Sequence, residues 1–367
     1  MKQELLYQIS LTLIPGIGTV QAKILIDHFG SASAVFRAKP HQLMRIEGIG
    51  EIRASSIKTF TDFQTAEKEM QFIGKNRITP LFITDPAYPQ RLLHCYDSPT
   101  LLYYEGIADL NHPKIIAVIG TRNHSEYGRQ LTERFVEEIA EQNVLIVSGL
   151  AFGIDGIAHK ASLKNKLATV GVLAHGLDQL YPSQHSILAR DMVREGGGLL
   201  TEFRSRTTPD KHNFPTRNRI VSGMSDATVV IETSIKGGSM ITAELANGYN
   251  KDVFAFPGRV TDTKSAGCNQ LIRSNKAILL TDASELIQLL NWDYQQKPAS
   301  KKQKEIFIDL TDDEKSVMAI LSEKESTHID ELNIKTSLSN SAIAAAVLNL
   351  EMQNVIISLP GKRYQLA

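Results

Sequence analysis

Between residues 114 and 290 the chain alternates two rhythms. Short continuous apolar runs, Ile115–Ile119, Val144–Val147, Ala168–Leu173, Gly198–Thr201, Thr228–Ile231, Val253–Phe256 and Ala277–Leu280, have the length of buried strands. Helices are predicted between them, as at Gly128–Glu141, Ile154–Lys164, Ser239–Tyr249 and Ala283–Leu290. Strands apolar at every position, rather than at every second one, belong to a sheet covered on both faces. The α/β alternation therefore predicts an extended, Rossmann-like, doubly wound sheet, whose ligands sit beyond the carboxyl ends of its strands.

The flanking segments follow other patterns. Residues 1–62 read as short helices built around two similar phrases. These are Leu13-Ile14-Pro15-Gly16-Ile17-Gly18 and Ile46-Glu47-Gly48-Ile49-Gly50, each with an alanine four positions later (Ala22 and Ala54). This is a helix-hairpin-helix, SAM-like pattern. Its glycines permit tight turns, and the helix that follows presents unbonded N–H groups able to take a phosphate. The same repeat equally serves as a compact packing unit, with Lys23 and Arg53 flanking the turns and no continuous basic face.

Prolines 80, 86, 89, 99 and 113 break the next stretch into short pieces. Leu81–Thr84 and Leu101–Tyr104 are predicted strands of an adaptor to the sheet. Residues 293–309 are polar and lysine-rich, which predicts a linker. Beyond it, helices at Thr311–Ser322, His328–Leu332 and Ser339–Gln353 precede two strands, Val355–Leu359 and Tyr364–Leu366, around Pro360-Gly361. That order is a winged helix. The expected organisation is thus 1–62, 63–292, a linker 293–309 and 310–367. The third helix of the tail carries no Lys or Arg. It is poorly suited to reading a major groove, so a protein-contact or regulatory role is expected.

Charge changes the picture. Lys+Arg and Asp+Glu both total 40 in 367 residues, so the whole molecule does not attract polyanions, and any nucleic-acid site must be a local patch. Two distant cysteines, Cys95 and Cys268, give neither a disulfide framework nor a zinc motif. No signal peptide and no apolar stretch long enough to span a bilayer are evident, so a cytoplasmic protein is expected.

One patch stands out. Lys211-His212-Asn213-Phe214-Pro215-Thr216-Arg217-Asn218-Arg219 sets cations around one aromatic ring, the pairing that suits phosphates and an unpaired base. It reads as a loop. Three further loops follow predicted strands: Gly120-Thr121-Arg122, Ser148–Asp155 and Gly237–Glu244. Their small residues let a phosphate approach backbone N–H groups at a helix start, and Arg122 adds a planar fork. None fits GxGxxG or GxxxxGK[ST]. Asp155 and His159 stand one helical turn apart, as a local pair. No catalytic or metal constellation emerges, and Glu244 in GGSMITAE is the one seed for an enzyme.

The ordered motifs GTR, SGLAFGID, TEF, KHNFPTRNRIVSG and GGSMITAELA resemble the DNA-processing protein A family, DprA or Smf, over residues 80–280. The head and tail agree with the family's longer members. The resemblance implies a non-enzymatic, cofactor-free homodimer in the cytoplasm. Such a protein binds single-stranded DNA during natural transformation and helps load the RecA recombinase in homologous recombination. It implies that Gly120, Thr121 and Arg122 line the phosphate path, that Lys211 adds charge and that Phe214 stacks on a base. Arg217 and Arg219 would contact or brace the backbone with Asn218 beside them, the last two being equally suited to holding the fold. Gly238 and Ser239 would offer donors. Thr121 departs from the serine of many members but keeps a hydroxyl. The alternative is a phosphoribohydrolase-like enzyme on free nucleotides that uses Glu244 and an arginine.

Overall fold

The computed structural model describes residues 2–293, 310–322, 324, 326–353, 355–359 and 362–366. The linker, apart from Asp293, and the Pro360-Gly361 turn lie outside the described residues. The chain divides into two compact units, Met1–Tyr294 and Gln295–Ala367.

Six helices open the first unit: α1 (Lys2–Leu13), α2 (Thr19–Phe29), α3 (Ala32–Arg37), α4 (Pro40–Met44), α5 (Glu51–Thr59) and α6 (Phe63–Asn76). Both predicted hairpins form, α1–α2 and α4–α5. Gly16 (φ +79°) and Gly48 (φ +80°) take the left-handed turn that a side chain would disfavour. The two flanking cations point to packing. Arg53 donates from Nε to the Gly16 carbonyl (3.1 Å) and from Nη1 to the Gly48 carbonyl (2.6 Å), which ties one turn to the other. Lys23 Nζ donates to the carbonyl of Leu93 (3.0 Å) and anchors the first hairpin to the body.

The body follows as β1 (Thr79–Phe82), α7 (Gln90–Leu93), β2 (Leu101–Gly106), β3 (Ile115–Ile119), α8 (Glu126–Ile139), β4 (Leu145–Gly149), α9 (Ile154–Lys164), β5 (Thr169–Val172), α10 (Ser186–Arg194) and β6 (Gly198–Thr201). Then come α11 (Asn213–Gly223), β7 (Ala227–Val230), α12 (Gly238–Gly248), β8 (Asp252–Ala255), α13 (Ala266–Arg273), β9 (Ile278–Leu279) and α14 (Ala283–Leu289). The strands lie within a residue or two of the predicted runs. They form one nine-stranded sheet in the order β1-β2-β6-β5-β4-β3-β7-β8-β9. All pairings from β6 to β9 are parallel. The two adaptor strands add antiparallel at the β6 edge.

Continuous apolarity of the strands has the expected cause, since each residue parity faces its own core. Ile115, Ala117 and Ile119 of β3 join Ile220 and Val221 of α11, Met240 and Ala243 of α12 and the head residues Leu25 and Ile57. Ile116 and Val118 join Phe135 of α8, Ala158 of α9 and Leu286 of α14. Head and sheet thus share one core, so the chain around residue 62 is not a break in packing.

The second unit consists of α15 (Asp312–Leu321), β10 (Thr327–His328), α16 (Ile329–Thr336), α17 (Asn340–Met352), β11 (Ile356–Leu359) and β12 (Arg363–Leu366), with its sheet ordered β10-β12-β11. This is the predicted winged helix, with a core of Val317, Leu321, Leu332, Ile343, Leu350 and Ile356.

Candidate nucleic-acid interface

Strand β3 is where the sheet changes direction: β4, β5 and β6 run out on one side, and β7, β8 and β9 on the other. Doubly wound folds open a crevice beyond the carboxyl ends of their strands at such a point. Here a cleft of about 700 Å³ opens there. Gly120–Arg122 follow β3, Gly149 ends β4, Gly238 and Ser239 begin α12, and Lys211, Phe214, Arg217 and Asn218 come from α11 and the turn before it.

The β3 loop is tied down on both sides. Thr121 N donates to the carbonyl of Glu232 (2.7 Å), its carbonyl accepts from Ile154 N (3.2 Å), and its Oγ1 accepts from Asn123 N (3.2 Å). A Cβ on Gly120 would lie 2.5 Å from Ile154, so only glycine fits between loop and helix. The Arg122 side chain is exposed, and its guanidinium carbon lies 4.9 Å from the centroid of the Phe214 ring. Phe214 is half-buried, with the Tyr181 ring on another side at 6.2 Å.

The floor is Arg217. It is 5% exposed and donates from Nη1 to the carbonyl of Val172 (2.9 Å), while its Nε is buried without a partner in the described structure. Gly149 makes room for it, because a Cβ there would fall 1.7 Å from Nη1. Burial raises the pKa of the Asp155 carboxyl, and the charge of Arg217 opposes that rise. Burial likewise pulls the guanidinium of Arg217 down from its ordinary value, against Asp155. On the remaining wall α12 begins at Gly238 with no side-chain cap, and a Cβ on Gly238 would meet open space. The N–H groups of its first turn therefore offer an anion-binding surface. Ser239 Oγ donates to Thr233 Oγ1 (2.7 Å), so this hydroxyl braces the turn.

Nine of the ten expected site residues line the cleft: Gly120, Thr121, Arg122, Lys211, Phe214, Arg217, Asn218, Gly238 and Ser239. Arg219 does not. It sits on a different face of α11, where it bonds the Asp97 carbonyl and the carboxylate of Glu202. The expected loop is also corrected. Helix α11 begins at Asn213, so Phe214 and the residues after it are helical, and only Lys211 and His212 precede it. Asn218 and Arg219 lie in its middle.

Two smaller expectations fail for geometric reasons. His159 turns from Asp155 to Thr169 Oγ1 and the Gly149 carbonyl, both at 2.7 Å, and burial depresses its pKa to about 4. Glu244, the acid of the enzymatic alternative, is exposed on α12 and pairs with Lys276 (3.5 Å) outside the cleft. Sequence reasoning missed Tyr181 and the role of Asp155. Tyr181 follows β5 in a loop on the same edge as the motifs, and that placement was the available signal. Among the described residues there is no cluster of His, Cys, Asp or Glu able to hold a metal, and no helix is long and apolar enough to cross a membrane.

Fold and cleft together define a Rossmann-like protein with a cation- and ring-lined crevice, preceded by a helix-hairpin-helix head and followed by a winged helix. Family models match in the same order. The SAM-like helix-hairpin-helix tandem matches residues 9–60, DNA recombination-mediator protein A matches 79–291, and the DprA winged helix domain matches 299–362. The chain belongs to the DNA recombination-mediator protein A family, DprA/Smf. Protein Smf of Synechocystis sp. is 31% identical over 396 residues, covering 98% of each chain. The X-ray structure of DNA processing protein A from Streptococcus pneumoniae superposes with a TM-score of 0.68 at 31% identity, over 77% of this chain and 97% of that one. A structure concerning the single-stranded DNA binding mode of the Helicobacter pylori protein gives 0.54 at 30% identity, over 59% and 97%.

Proposed function

We propose that this protein binds single-stranded DNA in the cleft at the β3 edge. In this reading it is a non-enzymatic, cytoplasmic homodimer that protects incoming DNA during natural transformation and helps load RecA. The observation that carries the reading is the grouping of Arg122, Phe214 and Arg217 around one crevice, with the uncapped start of α12 opposite. A ring of this kind takes any base through its π-face, and the cations and N–H groups take the phosphates. Family membership and the single-strand binding of the Helicobacter pylori relative support the same assignment.

The test is competition between single- and double-stranded oligonucleotides of equal length at two salt concentrations. Single strands are expected to win, and affinity to fall as salt rises. Phe214→Ala should cost about 1–3 kcal/mol of single-strand binding with the fold intact. Arg122→Ala should lower the slope of log K against log salt by about one phosphate's worth, roughly 0.7. Unchanged binding in both variants refutes the site.

A further inference from the structure

The cleft does not end at Phe214. A small recess adjoins it, bounded by Phe152 and Pro182 and sharing Arg122, Tyr181, Phe214 and Arg217 with the main crevice. Four aromatic side chains are exposed among the described residues, Tyr96, Tyr127, Phe152 and Tyr181, and two of them line this recess. Tyr181 is 47% exposed and Phe152 is 42% exposed. Planar apolar faces left in water beside a binding crevice are the usual mark of a stacking surface.

The Phe152 ring and the backbone at Tyr181 are both held. Phe152 meets the His185 ring edge-on at 5.3 Å, and His185 Nδ1 lies 3.0 Å from the Leu150 carbonyl. The backbone N–H of Tyr181 donates to His175 Nε2 (3.2 Å). Tyr181 and Phe214 are inclined at 57°, with centroids 6.2 Å apart. They therefore do not sandwich one base. They offer two planes turned from each other, which suits neighbouring nucleotides whose bases are splayed.

We propose that Tyr181, supported by Phe152, is a second stacking platform that receives the base next to the one on Phe214. The proposal rests on the cleft being the single-strand site. Its ligand is any unpaired base, because a π-face discriminates little among them. Arg122, shared by both recesses, stands where the phosphate joining the two nucleotides would pass.

The experiment uses the full chain and dT oligomers of about ten nucleotides, within the range of site sizes for such grooves. Single 2-aminopurine substitutions are walked along the strand. Because every register binds, 2-aminopurine at each walked position is expected to change fluorescence on binding to the wild type. Phe214→Ala and Tyr181→Ala should each remove part of that response at saturating protein, and Tyr181→Ala should weaken binding about tenfold. Tyr181→Phe should behave as wild type. Tyr181→Leu keeps apolar bulk against Phe214 but has no plane, so it should resemble Tyr181→Ala. Thermal melting of each variant reports that the fold is kept. If Tyr181→Leu binds like the wild type, Tyr181 merely packs against Phe214 and the proposal is overturned. If Phe214→Ala and Arg122→Ala weaken binding while Tyr181→Ala and Phe152→Ala do not, the second platform is overturned and the cleft assignment stands. If the wild type does not bind the oligomers at all, both fall together.

Discussion

Arg217 and Arg219 show what a residue type does and does not announce. They are two positions apart in one motif, and on a helix that separation places them on different faces. One floors the cleft and the other locks α11 to Glu202 and the Asp97 carbonyl. The sequence presented both as candidates because cations beside a ring suit a phosphate path, and only the helical start at Asn213 separates them. Arg219→Ala strands a buried carboxylate and should destabilise the fold by about 3–5 kcal/mol in urea denaturation. His159 carries a second prediction at this scale. Its folded pKa of about 4 lies below its ordinary 6.5, so the unfolded chain takes up a proton first as pH falls. Stability present at pH 7 should therefore drop by about 3 kcal/mol between pH 7 and pH 4. His159→Gln should flatten that slope when denaturation midpoints are compared across the range.

At the scale of elements, the central strands were legible because their two faces pack on separate cores, as in β3 and β4, and so are apolar throughout. The turns of the head were legible because positive φ selects glycine. The support of the turn that carries Lys211 was not, since its anchor lies far away in sequence. Glu69 of α6, 4% exposed, accepts from Ser205 N (3.0 Å) and Ser205 Oγ (2.5 Å). The neighbouring Arg206 N donates to Asp178 (2.8 Å). Helix α6 thereby fixes the segment leading into α11 without lining the cleft. Glu69→Ala should speed amide exchange across residues 204–212 and weaken single-strand binding several-fold, although Glu69 contacts no strand in this reading. Normal exchange in that segment would separate α6 from the cleft.

For the whole molecule, the order of motifs revealed the architecture, and the zero net charge confined any polyanion site to a patch. What stayed hidden was that the head shares the sheet's core while the tail has its own. Removing residues 295–367 should therefore leave single-strand affinity within about twofold in a gel-shift titration, and leave the larger unit with one cooperative melt. The covering of Phe214 by Arg122 has a consequence at this scale. In the proposed function an arriving base does not land on a bare ring: it displaces a guanidinium, 4.9 Å from the ring centroid, whose interaction there is worth about 0.5–1 kcal/mol. Each protomer's hold on a nucleotide is then a small difference between two partners of one ring. In the proposed function, a strand held at many such sites is retained through numbers and released without a large barrier at any one of them.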